Sequence, residues 1–514
     1  MAADLCPTLV MRLTSQHRAI YCYLLLSAWI FLLLGGMYKY IGSEDGSVSL
    51  VRHSTSDFTT RSFSQSVRPD IKARRVMKVC NPPHMITAGS EGRVKGNYTL
   101  EGVVVLIRHG DRGPLTHVRN ISSIDCSCSS AAELVSYEAF LDNLTGTPLL
   151  YQLLGPFHGF PLLPAAECAL GQLTRVGVMQ LLATGRLLRR AYADRLNVSA
   201  AGDVAAYSTR YRRTLQSGLA LLYSLLTADG LHAATLKESQ SMAFCFDDCA
   251  CPAADVHNKK FVSELSSRLK SHPAVAKLVR SSASVVYEMT DKHLSSDPYA
   301  LKDALLTYVC HNARLPCSDL YSPADICVRT EHVTGLFAYI EWETRQHPKS
   351  ANLKRVCLLR AYGLLKNIVV NMLRIMSEKR PKIVLYSGHD KTILYLATAL
   401  GIVSDTTSSP HYASRFIIEV YRNNDSNTMS ESGPMGSDYY FRAVYNGKDL
   451  TNRIHFCRVA SPSGSPAPSE SAAGKKPTQS STLCPVESII RFLHDDYFSS
   501  FNVTNLKDAC VIHG

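Results

Sequence analysis

Two hydrophobic periodicities alternate along most of this chain. Short apolar runs rich in β-branched and aromatic residues predict strands at 102–107, 204–209, 383–387, 415–421 and 439–445. Apolar residues spaced three or four apart predict helices at about 171–193, 214–226, 353–377 and 485–495. Strands that alternate with helices in this way are typical of α/β folds. We therefore predict an α/β sandwich with a central, mostly parallel sheet.

The amino-terminal pattern is different. Residues 19–38 lack charged side chains and are rich in Leu, Ile, Phe and Tyr, close to the roughly 20 residues that a helix needs to cross a bilayer. Arg12 and Arg18 precede this segment and acidic residues follow it, so the positive-inside rule leaves the amino terminus cytosolic. We predict a cytosolic tail at 1–18, a transmembrane signal anchor at 19–38 and a lumenal remainder. A cleaved signal peptide is the alternative, although its apolar core is usually only about 7–15 residues long.

The predicted lumenal part divides into a stem and a folded body. The stretch 39–79 is rich in Ser, Thr and Arg and lacks a sustained apolar period, which predicts a stem that tethers rather than folds. Residues 80–514 can bury a large core and are predicted to form the lumenal domain. Within it, 459–482 is dominated by small residues and proline, which predicts a low-complexity loop. Cys457 and Cys484 flank this loop and are candidates for a disulfide that closes it.

Cysteine usage agrees with a lumenal location. Of 16 cysteines, Cys6 and Cys22 lie in the tail and span, which leaves 14 that can pair in an oxidising compartment. A second set of cysteines raises the alternative of zinc: Cys245, Cys249, Cys251, Cys310, Cys317 and Cys327. That set lacks a doubled C-x-x-C spacing, so disulfides are favoured, with their connectivity left open. Six N-glycosylation sequons lie beyond the span, at Asn97, Asn120, Asn143, Asn197, Asn424 and Asn502.

The formal net charge of +12 indicates the kind of partner to expect. Residues 39–79 hold eight Lys or Arg against four Asp or Glu, so part of the excess lies near the predicted membrane. The remaining excess would steer an acidic polysaccharide or phosphorylated glycan toward the domain. The alternative is a diffuse basic surface with no partner. Nucleic acid is not expected, because a lumenal chain does not meet it and no recognition motif is present.

The motif that carries chemistry follows the first strand. Arg108-His109-Gly110-Asp111-Arg112-Gly113-Pro114 comes directly after the apolar run at 103–107. Guanidinium groups match the oxygens of a phosphate ester, and a neutral imidazole between them can attack phosphorus to form phosphohistidine. His109 is therefore the candidate nucleophile, with Arg108 and Arg112 as phosphate ligands. Gly110 would let the backbone approach the ligand without a Cβ.

Two further strand ends complete the candidate site. Arg213 follows the strand at 204–209 and opens an amphipathic helix, where an arginine points to anion binding. His389 and Asp390 follow the strand at 383–387. Asp390 could protonate the departing alkoxide while His389 donates to a phosphoryl oxygen. Each segment alone is a weak signal, since a lone His-Asp pair often belongs to an ordinary turn, but three strand ends with this set form a strong one.

R-H-G-x-R-x-P together with a distal Ser-Gly-His-Asp resembles the histidine acid phosphatase family. The resemblance spans roughly residues 100–450 and implies a histidine-phosphatase-like α/β sandwich with an inserted helical cap, here about 230–335. It implies His109 as nucleophile and Asp390 as proton donor, and it implies phosphate ligands at Arg108, Arg112, Arg213 and His389. It also implies that no metal or other cofactor is needed. One segment departs from the family: Ser208-Thr209-Arg210-Tyr211-Arg212-Arg213-Thr214 replaces the usual Ser-Thr-Asp-x-Asp-Arg-Thr, which leaves Arg212 as a competitor of Arg213.

A closer resemblance concerns the substrate. The segments Arg213–Tyr223, Phe244–Pro252 and Asp508–Cys510 are similar to Golgi members of the family that remove the 2-phosphate of xylose in the glycosaminoglycan linkage region of proteoglycans. It implies a single-pass type II Golgi membrane enzyme with a phosphorylated glycan or proteoglycan as substrate. A glycosyltransferase is a candidate partner. The alternatives are the same chemistry on an inositol phosphate, lysophosphatidate or phosphoprotein, and a catalytically dead relative that binds glycan.

Overall fold

The computed structural model describes residues 71–127, 131–239, 241–246, 249–287, 294–318, 327–424, 438–457 and 483–512. The predicted cytosolic tail, the transmembrane segment, most of the stem and the predicted loop at 459–482 lie outside the described residues.

One sheet of eight strands forms the centre of the domain. Its strands are β1 (Tyr98–Arg108), β2 (Val204–Thr209), β3 (Ala234–Ser239), β4 (Ile383–Gly388), β5 (Arg415–Asn423), β6 (Tyr439–Tyr445), β7 (Lys448–Asp449) and β8 (Cys484–Pro485). The order is β3-β2-β4-β1-β5-β6-β7, and β8 pairs with β6. Strands β3, β2, β4 and β1 are parallel, whereas β5 to β8 join antiparallel. The predicted α/β sandwich with a sheet that is parallel in its core is therefore confirmed.

The residues of β1 explain why it lies in the middle of the sheet. Val103, Val105 and Ile107 belong to one buried cluster, whereas Val104 and Leu106 belong to another. Successive side chains of a strand point to opposite faces, so this continuous apolar run fills a core on both sides. A strand with that pattern has to be covered by helices on each face.

The helices that cover the sheet and build the remaining layers were predicted only in part. The longer ones are α1 (Ile71–Cys80), α2 (Ala132–Leu144), α3 (Pro148–Leu154), α4 (Arg175–Leu188), α5 (Arg212–Gly230), α6 (Pro252–Lys270), α7 (Pro273–Val286), α8 (Pro298–Cys310), α9 (Thr330–Thr344), α10 (Ala351–Glu378), α11 (Asp390–Ala399) and α12 (Val486–Arg491). Helices α2 to α5 cover one face of the sheet, and α10 to α12 cover the other. Among the predicted helices, the one at 171–193 begins later, at Arg175, because Thr174 is its N-cap and Leu173 pairs with Arg112.

Helices α7, α8 and α9 form a cap with its own hydrophobic cluster, which also includes Val76 and Cys80 of α1. The cap boundary differs from the predicted range of 230–335. Strand β3 lies inside that range but extends the central sheet, and Phe261 of α6 packs against α10. The helical cap is therefore centred on 273–344. Its early part was misplaced because the family resemblance gives only an approximate range for the insertion.

The predicted stem also needs correction at its carboxyl end. Residues 71–79 form most of α1, and Cys80 at its end is bonded to Cys310 at the end of α8. This helix has too few apolar residues to show a recognisable helical period within a Ser-rich stretch. Its folding depends on the cap surface that covers Val76.

The sheet register brings three strand ends to one level. Arg108 of β1 lies opposite Gly388 of β4, and Ser208 of β2 lies opposite Ser387 of β4. Because the three strands are parallel, the loops that follow them leave from the same edge of the sheet. Ligands of open α/β sheets bind at this carboxyl edge.

Disulfides join distant parts of the described chain. The pairs are Cys80–Cys310, Cys126–Cys168, Cys245–Cys249, Cys251–Cys510, Cys317–Cys327 and Cys457–Cys484. The bridge predicted between Cys457 and Cys484 is thus present. Of the 14 cysteines expected to be able to pair, Cys357 is buried and unpaired, and Cys128 lies outside the described residues. Helix α10, to which Cys357 belongs, would be long and apolar enough to cross a membrane, but it packs inside the core.

Candidate active site

Hydrogen bonds hold the three segments against one another. The backbone N–H of His109 donates to the Gly388 carbonyl at 2.9 Å, which joins the loop after β1 to the end of β4. Gly110 N–H donates to Ser217 Oγ of α5 at 3.1 Å. Ser387 Oγ in turn donates to the Thr214 carbonyl at 2.7 Å. Backbone and buried hydroxyl contacts therefore hold the three candidate segments together.

Gly110 has a packing role that the sequence did not reveal. A Cβ on Gly110 would collide with backbone atoms of Gly177 in α4, and a Cβ on Gly177 would collide with the Asp111 carbonyl oxygen. The two glycines thus allow the loop to lie directly on the first turn of the helix. The close neighbour of Gly110 is protein backbone. The missing Cβ therefore makes room for helix α4, and the expectation that it makes room for a ligand was wrong.

His109 is buried and its tautomer is defined by a neighbour. Its Nδ1 lies 2.8 Å from the Gly110 carbonyl oxygen. A carbonyl only accepts, so Nδ1 carries the proton and Nε2 keeps its lone pair. Burial, followed by the charges of Arg108 and Arg213, holds the pKa of His109 well below its usual value. The imidazole is therefore neutral and its Nε2 can act as a nucleophile.

Arg108 lies on the ring of Tyr412, with Cζ 4.3 Å from the ring centroid. Its Nη1 donates to the Pro410 carbonyl at 2.7 Å, and its Nη2 is 3.4 Å from Asp390 Oδ2. These contacts immobilise a buried cation beside His109. Tyr412 was not predicted as a site residue, and its place in a loop before β5 gave no sequence signal.

Arg112 is held by a residue of the cap. Its Nη2 and Nη1 donate to the two carboxylate oxygens of Asp303 in α8, at 2.7 and 3.2 Å. Nη1 also donates to the Gly113 carbonyl at 2.9 Å. The remaining edge of the guanidinium, formed by Nε and Nη2, is the one left for a ligand. Asp303 is thus a positioning residue that sequence reasoning missed.

The structure distinguishes Arg213 from its competitor. Arg212 is exposed, whereas Arg213 is half-buried and its charge acts on His109. The guanidinium Cζ of Arg213 lies 4.4 Å from the centroid of the Tyr211 ring, and Nη1 donates to the Gly171 carbonyl at 3.3 Å. Burial, followed by repulsion from Arg112, lowers the pKa of Arg213 to about 10. Arg213 is the arginine that faces the nucleophile.

His389 stands across the pocket from His109, with ring centroids 5.6 Å apart. Its Nε2 lies 2.9 Å from Thr209 Oγ1. A hydroxyl can donate as well as accept, so this contact is compatible with either tautomer of His389. Burial, followed by the charge of Arg213, lowers the pKa of His389 to about 3. The ring is therefore a neutral hydrogen-bonding group.

Asp390 begins α11 and its side chain remains 47% exposed. Burial alone would raise its pKa, but the charges of Arg108 and Arg112 outweigh this effect and lower the pKa to about 2. The carboxyl group is thus ionised in the empty pocket. It is therefore the partly exposed partner of the buried Arg108.

A buried ion pair connects the loop after β1 to the cap. Asp111 Oδ2 accepts hydrogen bonds from His311 Nε2 at 2.7 Å and from Thr174 Oγ1 at 2.6 Å. His311 Nδ1 lies 3.1 Å from the Asp125 carbonyl. Both partners of the imidazole are acceptors, so His311 carries two protons and a positive charge. Asp111 therefore supports the site by anchoring the loop that carries His109 and Arg112.

Lys302, which precedes Asp303 in α8, adds a fourth cation. Its Nζ donates to Ser409 Oγ at 3.2 Å, next to the Pro410 carbonyl that binds Arg108. Burial, followed by repulsion from Arg108, lowers the pKa of Lys302 to about 8. Neither Lys302 nor His311 lies in a recognisable motif, because cap residues reach the site only through helix packing.

The three site arginines share an unusual feature. Within the described residues, the Nε atoms of Arg108, Arg112 and Arg213 are buried without a hydrogen-bond partner. A buried donor without a partner is costly, so three of them around one imidazole indicate a place prepared for an anion. A tetrahedral oxyanion bound there would face His109 Nε2 and could accept its attack. Cations and a neutral nucleophile of this kind suit a phosphomonoester.

Two curated phosphatases are similar to this chain in sequence. The chain is 30% identical over 450 residues to "2-phosphoxylose phosphatase 1" of Mus musculus, covering 85% of each protein. It is 26% identical over 296 residues to "Prostatic acid phosphatase" of Rattus norvegicus, covering 52% of this chain and 72% of that protein. The structure of a multiple inositol polyphosphate phosphatase from Bifidobacterium longum covers 85% of this chain and 97% of that chain at a TM-score of 0.47 and 12% identity.

The family profile "Histidine phosphatase superfamily (branch 2)" matches residues 99–446. That range begins in β1 and ends just after β6, so it includes all three catalytic segments and the cap between them. More than half of the chain is covered. This protein belongs to branch 2 of the histidine phosphatase superfamily and is a phosphatase.

Proposed function

We propose that this phosphatase removes the 2-phosphate from xylose in the glycosaminoglycan–protein linkage region, through a phosphohistidine on His109. The observation that carries the reaction is the neutral His109 with its free Nε2 inside three partly unsatisfied arginines. The substrate is supported by similarity to proteins named 2-phosphoxylose phosphatase 1 at 28–30% identity.

The first step transfers the phosphoryl group to the enzyme. The lone pair of His109 Nε2 attacks phosphorus, and the bond from phosphorus to the xylose oxygen breaks. Its electron pair stays on that oxygen, which takes the proton of Asp390. Arg108, Arg112, Arg213 and His389 donate hydrogen bonds to the phosphoryl oxygens, where charge is held during the transfer.

The second step returns the enzyme to its resting form. The Asp390 carboxylate takes a proton from water as the water oxygen attacks phosphorus. The bond from phosphorus to Nε2 breaks, its electron pair returns to the imidazole, and inorganic phosphate leaves. Both steps use protons and electron pairs of the chain, the substrate and water alone.

Asp390 needs a proton for the first step although its pKa in the empty pocket is about 2. The low pKa comes from Arg108 and Arg112. A bound phosphate dianion offsets these charges and adds a repulsive charge of its own, so substrate binding raises the pKa of Asp390. The site would thus create its own general acid when the substrate is bound.

We propose a Golgi location with type II topology and the catalytic domain in the lumen. Disulfides such as Cys251–Cys510 form in oxidising compartments, and residues 19–38 have the composition of a signal anchor. Five sequon asparagines, at positions 97, 120, 143, 197 and 502, are exposed, whereas Asn424 is half-buried. We propose all six as glycosylation sites and a glycosyltransferase as a candidate partner.

The decisive experiment measures phosphate release by the full-length protein in detergent from a phosphorylated linkage tetrasaccharide. A panel with inositol hexakisphosphate, lysophosphatidate and a phosphopeptide is tested in parallel. We expect the linkage tetrasaccharide to have the highest kcat/KM. A clear preference for another member of the panel would reject the substrate, and the absence of turnover on all of them would favour a glycan-binding role.

His109→Ala tests the reaction itself. We expect phosphate release to fall by at least about 1,000-fold, as for other covalent nucleophiles, and labelling by radioactive phosphate to disappear. His158→Ala is the matched control, because His158 is an exposed histidine that stacks on Tyr151. Equal turnover of His109→Ala and wild type would reject the phosphohistidine mechanism.

A further inference from the structure

Three exposed apolar residues adjoin the three candidate catalytic segments. Leu115, Tyr211 and Met242 are 55%, 37% and 39% exposed; we call them the apolar rim. Each is tied to a different catalytic segment. An apolar side chain left in water beside a buried cationic cluster needs an explanation, because such patches often mark ligand contacts.

Tyr211 is in direct contact with two phosphate-binding residues. Its ring centroid lies 5.1 Å from that of His389, with the planes at 84°. The Arg213 guanidinium lies over the ring, with Cζ 4.4 Å from its centroid. The ring is therefore held beside two candidate phosphate ligands while part of it remains exposed.

The other two members of the apolar rim are also fixed to the site. Leu115 N–H donates to Asp303 Oδ2 at 3.0 Å, and side-chain atoms of Leu115 and Arg213 both lie near the position that a Cβ on Gly171 would take. The Met242 carbonyl accepts a hydrogen bond from Thr392 Oγ1 at 2.9 Å, and that hydroxyl accepts one from His389 N–H at 3.1 Å. Each rim residue is thus held next to one of the three strand ends.

We propose that the apolar rim is a sugar-binding subsite in which Tyr211 is the platform for the apolar face of the ring that carries the phosphate. This inference rests on the proposed function. All substituents of β-xylopyranose are equatorial, so each face of the ring presents only C–H groups. An aromatic side chain with one exposed surface packs well against such a face, and a rigid tyrosine does so at low entropic cost.

The subsite also explains discrimination among phosphate esters. An inositol ring with a phosphate on every carbon has no uncharged face, and burying its charges against Leu115 and Met242 would cost desolvation energy. The segment around Tyr211 carries Arg210 and Arg212 where the family usually has acids. Both arginines are exposed, and Arg210 is paired with Glu238, so they add positive charge around Tyr211 without taking the place of Arg213.

Tyr211→Ala is tested in the full-length protein with three substrates: methyl 2-phospho-β-xyloside, cyclohexyl phosphate and ethyl phosphate. Cyclohexyl phosphate has an apolar ring without sugar hydroxyls, and ethyl phosphate has no ring. We expect kcat/KM for both ring substrates to fall by about five- to tenfold more than for ethyl phosphate, chiefly through KM. Tyr211→Phe should keep the wild-type ratio, since it retains the ring.

An equal loss on all three substrates would overturn the inference, because Tyr211 would then only position Arg213. No loss of kcat/KM on any of the three substrates would overturn it too. Tyr151→Ala is the matched control, since Tyr151 is an exposed tyrosine that stacks on His158. A third outcome separates the two proposals. If the wild type did not hydrolyse the phosphoxyloside but Tyr211→Ala still lost kcat/KM selectively on cyclohexyl phosphate, the proposed substrate would be rejected and the role of Tyr211 as a platform would be retained.

Discussion

At the scale of residues, the protonation states of His109 and Asp390 are set by shared neighbours. Arg108 and Arg112 lower both pKa values, which suits the nucleophile and opposes the general acid. The conflict is resolved by the substrate, because a bound dianion offsets the same charges. In the proposed mechanism, one set of arginines therefore keeps His109 neutral, and Asp390 is protonated only in the substrate complex.

Asp390→Asn tests the acid role. We expect turnover of a sugar phosphate to fall by about 100-fold or more, with a much smaller loss on an activated phenyl phosphate that needs little protonation of its leaving group. The comparison uses single-turnover rates of alcohol or phenol release at one pH, because phosphate release also includes hydrolysis of the phosphohistidine, a step common to both substrates. Equal losses on both substrates would remove Asp390 from the acid role and leave it as a partner of Arg108.

The pH profile gives a second test of the same residue. His109 has a lowered pKa and stays neutral until well into the acid range, so its protonation does not limit activity near neutral pH. Asp390 loses its proton as pH rises, so kcat on the sugar phosphate should decline with increasing pH. Phenyl phosphate should decline less, and Asp390→Asn should show no such difference between substrates. A wild-type rate on the sugar that increases with pH would contradict the assignment.

At the scale of elements, helix α8 acts as a support for the catalytic loop. It provides Asp303 for Arg112 and Lys302 beside Arg108, and His311 follows its last residue. The cap is thus part of the active site as well as a cover for it. The family resemblance implied a helical cap in this region, but it could not pair the polar side chains of the cap with a loop almost 200 positions earlier.

The His311–Asp111 pair predicts a pH-dependent stability. Burial alone would lower the pKa of His311, but Asp111 raises it above the usual value. The stabilisation is therefore complete below about pH 6.5, the unfolded-state value, and is lost as pH rises through the higher folded-state pKa. Relative to wild type, His311→Gln should lose about 3 kcal/mol at low pH and progressively less at higher pH.

Thermal unfolding of wild type and His311→Gln, from below about pH 6.5 to above it, measures the difference in stability between the two proteins. His494→Gln is the control, because His494 is also paired with an aspartate but is 86% exposed, and exposed pairs contribute little. A gap between wild type and His311→Gln that widens with increasing pH would contradict the charged state assigned to His311.

At the scale of the whole molecule, disulfides connect regions that lie far apart in the sequence and outside the candidate catalytic segments. Cys80–Cys310 joins α1 to the cap, and Cys251–Cys510 joins the start of α6 to the carboxyl terminus. These bridges span 230 and 259 positions. A bridge across such a distance restricts the unfolded chain more than a short one does.

The double variant Cys251→Ser with Cys510→Ser should therefore lose about 3 kcal/mol of unfolding free energy, measured by denaturant titration. Its matched control is Cys317→Ser with Cys327→Ser, because that bridge spans only 10 positions and should contribute less. Catalytic constants of the folded variants should remain near wild type, since neither bridge contacts His109. A larger loss in the short-bridge variant would contradict the chain-entropy account.

Sequence patterns identified the strands that carry the site because each is a short apolar run with a polar end. The helices at 252–270, 273–286 and 330–344 were missed as separate elements, since their faces are mixed and their stability comes from packing. The same limit applied to Gly110 and Gly177, whose contact depends on how a loop meets a helix. Local sequence patterns contain no information about which loop packs against which helix.

The sequence by itself determined the reaction class, because His109, its arginines and Asp390 belong to motifs whose chemistry is local. It also determined the parallel core, since apolar runs buried on both faces require helices on each side. Only the tertiary structure decided that Arg213 rather than Arg212 faces the nucleophile, and that cap residues hold Arg112 and Asp111. Those outcomes depend on side-chain direction and on contacts between distant segments, which packing sets and linear spacing does not.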